Sequence, residues 1–219
     1  MKTPSKRPWP TKDAMIQVYK NKLWGSDNTD FYSGEGSHDP ETVQGYIAAI
    51  ATFFKILKNR PVVCDLGCGD FNVGKELVQY TEAYKAVDIV PELISYNTRT
   101  FQRQNLTFDT LDIAKDELPT GDCVLLRQVL QHLSNNEIKD IVEKLYAFKY
   151  VILTEHLPDE DYEPNKDIIS GQGIRLKKQS GVDLLLAPFN LRVKEAKQLL
   201  VTPAPGGKGH LVTTVFTML

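Results

Sequence analysis

The chain has 219 residues and a mass of 24.7 kDa, enough for one sizeable core and too few for two ordinary domains. The formal net charge of −2 and the pI near 6.1 disfavour nucleic acids and anionic membranes as partners. No apolar run approaches the ~18 residues that cross a bilayer. Three cysteines, Cys64, Cys68 and Cys123, favour reduced thiols and a cytoplasmic location. Because no Cys/His cluster extends the Cys64–Cys68 pair, no metal is predicted.

The N-terminal 40 residues predict a leader, a helix and a lid-like segment. Residues 1–12 are basic and proline-rich, which is typical of a frayed tail. Apolar positions in residues 13–23 predict a short amphipathic helix. Residues 24–40 are rich in Gly, Ser, Asp and Asn but also carry Trp24 and Tyr32, a composition found in loops that close over ligands. A helix from Pro40 to about Asn59 follows, with Asp39 as its N-cap.

Residues 61–74, P-V-V-C-D-L-G-C-G-D-F-N-V-G, predict a buried strand over 62–66, a glycine turn and a helix from Gly74 to about Tyr80. Gly67 and Gly69 permit unusual backbone angles and a close approach of the backbone to a ligand. The fit to the dinucleotide pattern G-x-G-x-x-G is poor, because Asn72 occupies the third glycine position. A nucleotide-binding oxidoreductase is therefore disfavoured.

The same stretch resembles the first motif of class I S-adenosylmethionine (SAM) dependent methyltransferases, in which an acidic residue precedes G-x-G. The matching residues are Asp65, Gly67 and Gly69. Phe71 stands where that family often has glycine, which predicts a bulkier loop. The resemblance implies that Asp65 serves the methionine amino group or the loop that holds it, and that Cys68 lies beside the cofactor.

The upstream segment is similar to that of a bacterial group of these methyltransferases with W-G and S-G-x-G-S sequences. The resemblance implies that residues of this segment cover the methionine end of SAM or face the substrate: Trp24, Tyr32, Ser33, Gly34, Gly36 and Ser37. A plain surface turn is the alternative interpretation.

Two further carboxylates follow predicted strands. A strand over 84–87 ends at Asp88, 19 residues after Gly69, a distance typical of a carboxylate that binds both ribose hydroxyls. Asp88 can also cap the helix predicted over 92–102, and the two functions are compatible. After a strand over 106–109, Asp112 matches the family's adenine-binding position, with Asp109 as the alternative. Ile89 and Ile113 adjoin these carboxylates and complete this part of the predicted cofactor site.

The reacting end of the site is predicted beyond the fourth strand, over 122–126. In doubly wound folds, residues past this strand face the reactive part of the cofactor, which places Arg127, Gln128 and Gln131 there. His132 is a candidate general base, substrate-orienting residue or wall residue. His156, Arg127 and Asp161 are further candidates for catalysis or proton transfer.

The last third of the chain predicts a helix, a strand, a long insertion and a hairpin. Residues 134–137, S-N-N-E, form a capping box. After a fifth strand over 150–154, residues 156–190 predict a cover for the acceptor site, and we expect no compact core to bury the polar stretch 159–183. Arg175 is predicted to bind a carboxylate or phosphate of the acceptor, or else to form a surface salt bridge. Residues 195–202 and 211–219 predict a closing β-hairpin.

The resemblance implies a single α/β domain over residues 1–219, with a Rossmann-like class I methyltransferase fold. Its seven-stranded, mostly parallel sheet would end in an antiparallel hairpin and carry helices on both faces. The predicted activity is SAM-dependent O- or N-methylation of a small polar molecule or sugar-type (glycan) acceptor. An RNA or protein methyltransferase and a non-catalytic SAM-binding protein are the alternatives. The sequence leaves the oligomeric state open.

Overall fold

A computed structural model describes residues 9–26 and 29–219, so most of the predicted leader, residues 1–8, lies outside the described residues. The helices are α1 (Thr11–Lys20), α2 (Pro40–Ile56), α3 (Gly74–Leu77), α4 (Pro91–Thr100) and α5 (Asn135–Leu145). The strands are β1 (Val62–Leu66), β2 (Ala83–Asp88), β3 (Leu106–Thr110), β4 (Cys123–Arg127), β5 (Tyr150–Leu157), β6 (Val193–Pro203) and β7 (His210–Met218). Helix α1 begins two residues earlier than predicted, within the expected leader.

The seven strands form one sheet in the order β3-β2-β1-β4-β5-β7-β6. Strands β1 to β5 pair in parallel, whereas β7 runs antiparallel to both β5 and β6. The chain order reverses between β1 and β4, which creates a crevice at the carboxyl ends of these strands. The predicted seven-stranded sheet with its C-terminal antiparallel hairpin is confirmed.

Side-chain caps fix where two of the helices begin. The Asp39 carboxylate accepts a hydrogen bond from the Thr42 backbone N–H at 2.9 Å, and Pro40 occupies the first position of α2. The capping box predicted at Ser134 and Glu137 is present at the start of α5. Both caps satisfy backbone N–H groups that a helix leaves without intrahelical acceptors.

Helices cover both faces of the sheet, as predicted. Ile50 and Phe54 of α2 pack on the face that includes Val63 and Leu125. The apolar side of α5 packs on the opposite face through Ile138, Ile141, Val142 and Leu145. Burial of both faces explains why the central parallel strands are almost continuously apolar. The sheet is therefore a rigid platform for the crevice.

The segment after β5, residues 158–192, is partly buried, and the expectation that no core would bury residues 159–183 is wrong. Ser180 and Val182 are buried there, and Leu184 and Leu191 continue into the core under α5. Strand β5 also runs to Leu157, beyond its predicted end, because it stays paired with β7 as far as His210. Long-range packing, which has no local sequence signal, accounts for both differences.

Among the described residues, no helix has both the length and the apolar character that a membrane crossing requires.

Candidate active site

A cavity of about 370 Å³ lies at the carboxyl ends of β1, β2 and β4, beside the reversal of strand order. The residues predicted to bind the cofactor all line it: Asp65, Gly67, Cys68, Gly69, Asp88, Ile89, Asp112, Ile113, Arg127 and Gln128. Its volume is within the range of small-molecule and cofactor sites. The structure therefore brings together residues that are up to 63 positions apart in the sequence.

The glycine turn after β1 has a conformation and a packing that require glycine. Gly67 and Gly69 have φ values of +82° and +57°, in the left-handed region. A Cβ on Gly67 would lie 2.6 Å from a methyl carbon of Val129, and one on Gly69 would collide with the Ser33 hydroxyl. The turn is thus held tightly against the chain just after β4 and against the upstream segment.

Phe71, predicted to make this loop bulkier, does not line the cavity. Its own φ of +62° directs the fully buried ring into an aromatic cluster with Tyr84, Phe101 and Phe108. The prediction of a crowded loop was therefore wrong, because the side chain stabilises the loop from the core side.

Two buried carboxylates face the cavity. Asp88 accepts hydrogen bonds from the backbone N–H groups of Gly69 and Val90, each at 3.1 Å, and Asp65 accepts one from the Tyr84 hydroxyl at 2.8 Å. Burial raises the pKa of each carboxyl to about 6, against the opposing effect of these hydrogen bonds. A ligand that is cationic or donates hydrogen bonds would stabilise both ionised carboxylates, because it compensates for the hydration that they lose on burial.

Asp112 lies at the cavity edge, on the turn after β3. Its carboxylate accepts a hydrogen bond from the Ala114 N–H at 3.1 Å and pairs with Lys115 at 2.7 Å. Asp109, the alternative adenine-binding residue, is exposed and does not line the cavity.

Residues 33–38, which we call the lid segment, cover one side of the cavity through contacts with the turn after β1. The Asp70 carboxylate accepts hydrogen bonds from the Ser33 backbone N–H at 2.7 Å and pairs with His38 at 2.6 Å. The Asp70 N–H donates to the Ser33 hydroxyl at 2.9 Å, and Asn72 donates to the Ser37 carbonyl at 2.8 Å. The lid segment is therefore not a plain surface turn, which was the alternative interpretation of this stretch.

The end of β4 holds the other side of the lid segment. The Arg127 guanidinium donates to the Gly36 carbonyl and, at 3.2 Å, to the Ser37 hydroxyl, and it lies over the Tyr46 ring. A Cβ on Gly36 would meet the Gln128 amide, so the lid segment also packs closely against the residue that follows β4. Arg127, a candidate for catalysis, is thus engaged in holding the lid segment.

Of the other residues assigned to the lid or substrate side, Trp24, Ser33, Gly34, Gly36 and Ser37 line the cavity. Tyr32 does not line it. Its hydroxyl donates to Glu35 at 2.8 Å and its ring stacks on His38, so it supports the lid segment from outside.

Arg175 does not reach the cavity, and its predicted contact with the acceptor is incompatible with its position. The side chain is only 1% exposed. Its guanidinium donates to the backbone carbonyls of Leu130, Leu133 and Lys166 at 2.8–3.0 Å and to the Asn135 side chain at 2.7 Å. Arg175 therefore fastens the post-β5 segment to the chain between β4 and α5.

Both candidate histidines, His132 and His156, line the cavity. His132 packs against Trp24, with ring centroids 5.0 Å apart, and burial lowers its pKa to about 4. Burial also lowers the pKa of His156. Both rings are consequently neutral at pH 7. Asp161 is exposed and does not line the cavity.

Sequence reasoning missed Asp70, Tyr19 and Tyr46, which also line the cavity. Asp70 had a usable signal, because it directly follows the G-C-G turn at the same strand end as Asp65. Tyr19 and Tyr46 had none, since their spacing on α1 and α2 is that of core residues. Tyr19 in fact hydrogen-bonds the Ser33 hydroxyl at 2.9 Å.

Comparisons with known proteins agree with this architecture. A family model described as a methyltransferase domain matches residues 63–149. N-methyltransferase NodS from Bradyrhizobium japonicum, in complex with S-adenosyl-L-homocysteine (SAH), superposes with a TM-score of 0.67 at 10% identity, over 94% of this chain and 99% of its own. Magnesium protoporphyrin IX methyltransferase from Synechocystis, with bound SAM, superposes with a TM-score of 0.59 at 15% identity, over 97% of this chain and 100% of its own.

Human N-acetylserotonin methyltransferase, in complex with SAM, superposes with a TM-score of 0.58 at 18% identity. The comparison covers 96% of this chain but only 60% of the human enzyme's chain. Comparison with curated protein sequences gave no match. The matched domain contains β1 to α5 and most of the cavity-lining carboxylates, and the whole sheet has the topology of the similar structures. Residues 63–149 thus match a methyltransferase domain, and the chain as a whole has the fold of the similar SAM-dependent methyltransferases.

Proposed function

We propose that the chain transfers the methyl group of SAM to a small polar molecule or a sugar-type acceptor. The observation that carries this proposal is the closure of the cavity on its acceptor side. There Gln172 of the post-β5 segment donates to the Leu23 carbonyl at 2.8 Å, and Thr11 of α1 hydrogen-bonds Glu137 of α5. Three distant parts of the chain therefore wall in a compartment that suits a small molecule better than a polymer.

The residues of the cofactor half fit SAM. We assign Asp65 to the amino group of the methionine part, and the turn at Gly67 and Gly69 to close backbone approach. We assign Asp88 to the ribose hydroxyls, because each of its oxygens has spare acceptor capacity beyond one backbone hydrogen bond. Asp112 is assigned to the adenine amino group at the cavity edge.

When bound, SAM supplies a methyl group that is already strongly electrophilic, so the protein has to position the reactants and exclude water. Positioning of this kind contributes up to ~7–11 kcal/mol to lowering a barrier. The lid segment, held by Asp70 and Arg127, and the Trp24–His132 wall provide enclosure. Asp70 follows β1 and Arg127 ends β4, so both anchors of the lid segment stand where the sheet fixes the chain.

The charge of the cavity supports the same cofactor and acceptor. Four aspartates, Asp65, Asp70, Asp88 and Asp112, line it, whereas Arg127 is the only Arg or Lys among the described lining residues. An acid-rich site favours the sulfonium and ammonium groups of SAM and repels phosphate-rich acceptors. This argues against RNA as the acceptor.

The small molecules named for two of the similar structures, N-acetylserotonin and magnesium protoporphyrin IX, are in keeping with this proposal. A screen can test it directly. Purified chain would be incubated with SAM and pools of hydroxylated or amine-bearing metabolites, and SAH formation measured by mass spectrometry. RNA and protein extracts would serve as competing acceptor pools.

We expect SAH formation with one of the metabolite pools. Trp24→Ala should raise KM for that acceptor while leaving SAM affinity nearly unchanged, since Trp24 belongs to the acceptor-side wall. Methylation of RNA or protein alone, or SAM binding without turnover in any pool, would contradict the proposal.

A further inference from the structure

The two histidines that line the cavity differ in which ring nitrogen can accept a proton. A neutral imidazole carries one N–H and one lone pair, and its hydrogen-bond partners decide which nitrogen has which. The side chain of Gln131, which is buried between them, contacts both residues. The contact with His132 is to its ring, whereas the contact with His156 is to its backbone N–H.

The orientation of the Gln131 amide is fixed by His156. The Gln131 Oε1 accepts a hydrogen bond from the His156 backbone N–H at 3.2 Å. The reversed amide would place its NH₂ group against that N–H, donor to donor, and would lose the bond. The NH₂ group of Gln131 consequently faces His132.

This orientation determines the tautomer of His132. The Gln131 Nε2 lies 3.3 Å from the His132 Nε2, and an amide nitrogen can only donate, so the His132 Nε2 must accept. The proton of the neutral ring is then on Nδ1, which is buried and has no hydrogen bond of good geometry. The backbone of Gly171 to Gly173 lies near the ring and partly opposes the burial that lowers the pKa of His132.

His156 has the opposite tautomer. Its Nε2 lies 2.6 Å from the Lys208 carbonyl oxygen, which can only accept, so the proton is on Nε2. The lone pair is on Nδ1, and none of the described residues donates a hydrogen bond to it. The charged groups near the two rings are Arg175 at His132, and Asp159 and His210 at His156.

We infer that Gln131 is a positioning residue that occupies the lone pair of His132 and so leaves His156 Nδ1 as the proton-accepting imidazole nitrogen of the cavity. This inference rests on the proposed function, because it concerns a hydroxyl or protonated amine as acceptor. The proton leaves the oxygen or nitrogen of that group and bonds to Nδ1, and the ring becomes an imidazolium. The Lys208 carbonyl still holds the Nε2–H. His132, with its lone pair occupied, serves as a wall beside Trp24.

Nuclear magnetic resonance of the chain labelled with ¹⁵N-histidine tests the assignment without any acceptor. The four histidines give separate ring signals, and His132→Gln and His156→Gln identify two of them. At pH 7 we expect His132 to be protonated on Nδ1 and His156 on Nε2. A His132 ring protonated on Nε2, or a His156 ring protonated on Nδ1, would overturn the inference.

The Gln131→Glu variant tests the positioning function through the His132 ring signals, which replacement of a merely structural residue would not shift. A carboxylate can still accept from the His156 N–H, but it cannot donate to His132, so the His132 signals should shift to an Nε2–H tautomer or an imidazolium. The signals of His210, outside the cavity, should stay in place and report an intact fold. Unchanged His132 signals in this variant would count against a positioning function for Gln131.

A chemical probe supplies a second measurement. Diethyl pyrocarbonate modifies imidazole lone pairs, so His156 should react faster than His132 in the wild-type chain, and Gln131→Leu should speed the modification of His132. Faster reaction of His132 in the wild type would overturn the inference. Correct tautomers with no methyl transfer in the metabolite screen would contradict only the proposed function.

Discussion

Replacing Asp88 with alanine should weaken SAM binding about a hundredfold. A hydrogen bond to a charged group contributes about 1.5–3 kcal/mol. Loss of the two proposed ribose bonds, partly replaced by water, therefore removes about 3 kcal/mol, roughly a hundredfold in Kd. Isothermal titration calorimetry of the wild type and Asp88→Ala with SAM measures this difference.

Asp88 also accepts from the backbone of Gly69 and Val90, so the variant is expected to lose some stability. Thermal unfolding without SAM reports that loss, and the calorimetry is carried out below the melting range. Asp109→Ala is the matched control, because Asp109 lies on the neighbouring strand β3, exposed and outside the cavity. An intact Asp88→Ala chain that binds SAM within about twofold of the wild type, a difference of about 0.4 kcal/mol, would refute the ribose assignment.

Three further perturbations follow from the same geometry. Because burial raises the pKa of Asp65 and Asp88 to about 6, SAM affinity measured by calorimetry should fall as the pH is lowered from 7 to 5, by about tenfold for each carboxylate that must ionise; a constant affinity would contradict this. Asp70→Ala removes the anchor of the lid segment and should speed SAM dissociation in stopped-flow measurements, whereas an unchanged rate would show that the segment does not retain SAM. Arg175→Ala should lower the free energy of unfolding by about 2–4 kcal/mol, since it leaves buried carbonyls without donors, while the exposed Lys177→Ala should have little effect. Equal denaturation midpoints for these two variants would rule out the fastening function.

Local signals were enough to predict most of the fold. The predicted bounds of β1 are those observed, and the caps at Asp39 and Ser134 were read directly from short patterns. Each of these features depends on residues that are close together in the sequence. Asp65 and Asp88 were also located, because each stands where a parallel strand ends and such ends meet at one edge of the sheet.

The errors came from contacts between distant parts of the chain. Arg175 looks like a surface residue among lysines, yet two of the carbonyls that it binds, those of Leu130 and Leu133, lie more than 40 positions earlier. Phe71 looks too large for a glycine turn, but its positive φ turns the ring into a cluster formed by β2, β3 and the end of α4. Composition and spacing contain no information on such partners.

The lid segment connects the two halves of the site, which has a consequence for the order of events. Asp70 and Arg127 lie on the proposed cofactor side, and both bind residues 33–38. Gly34 of this segment lies against Trp24, which in turn packs on His132 of the proposed acceptor side. Displacing residues 33–38 to admit SAM therefore also removes a support of the acceptor wall. Because the wall is complete only when the segment is in place, we expect SAM to bind first and the acceptor to bind to the closed form.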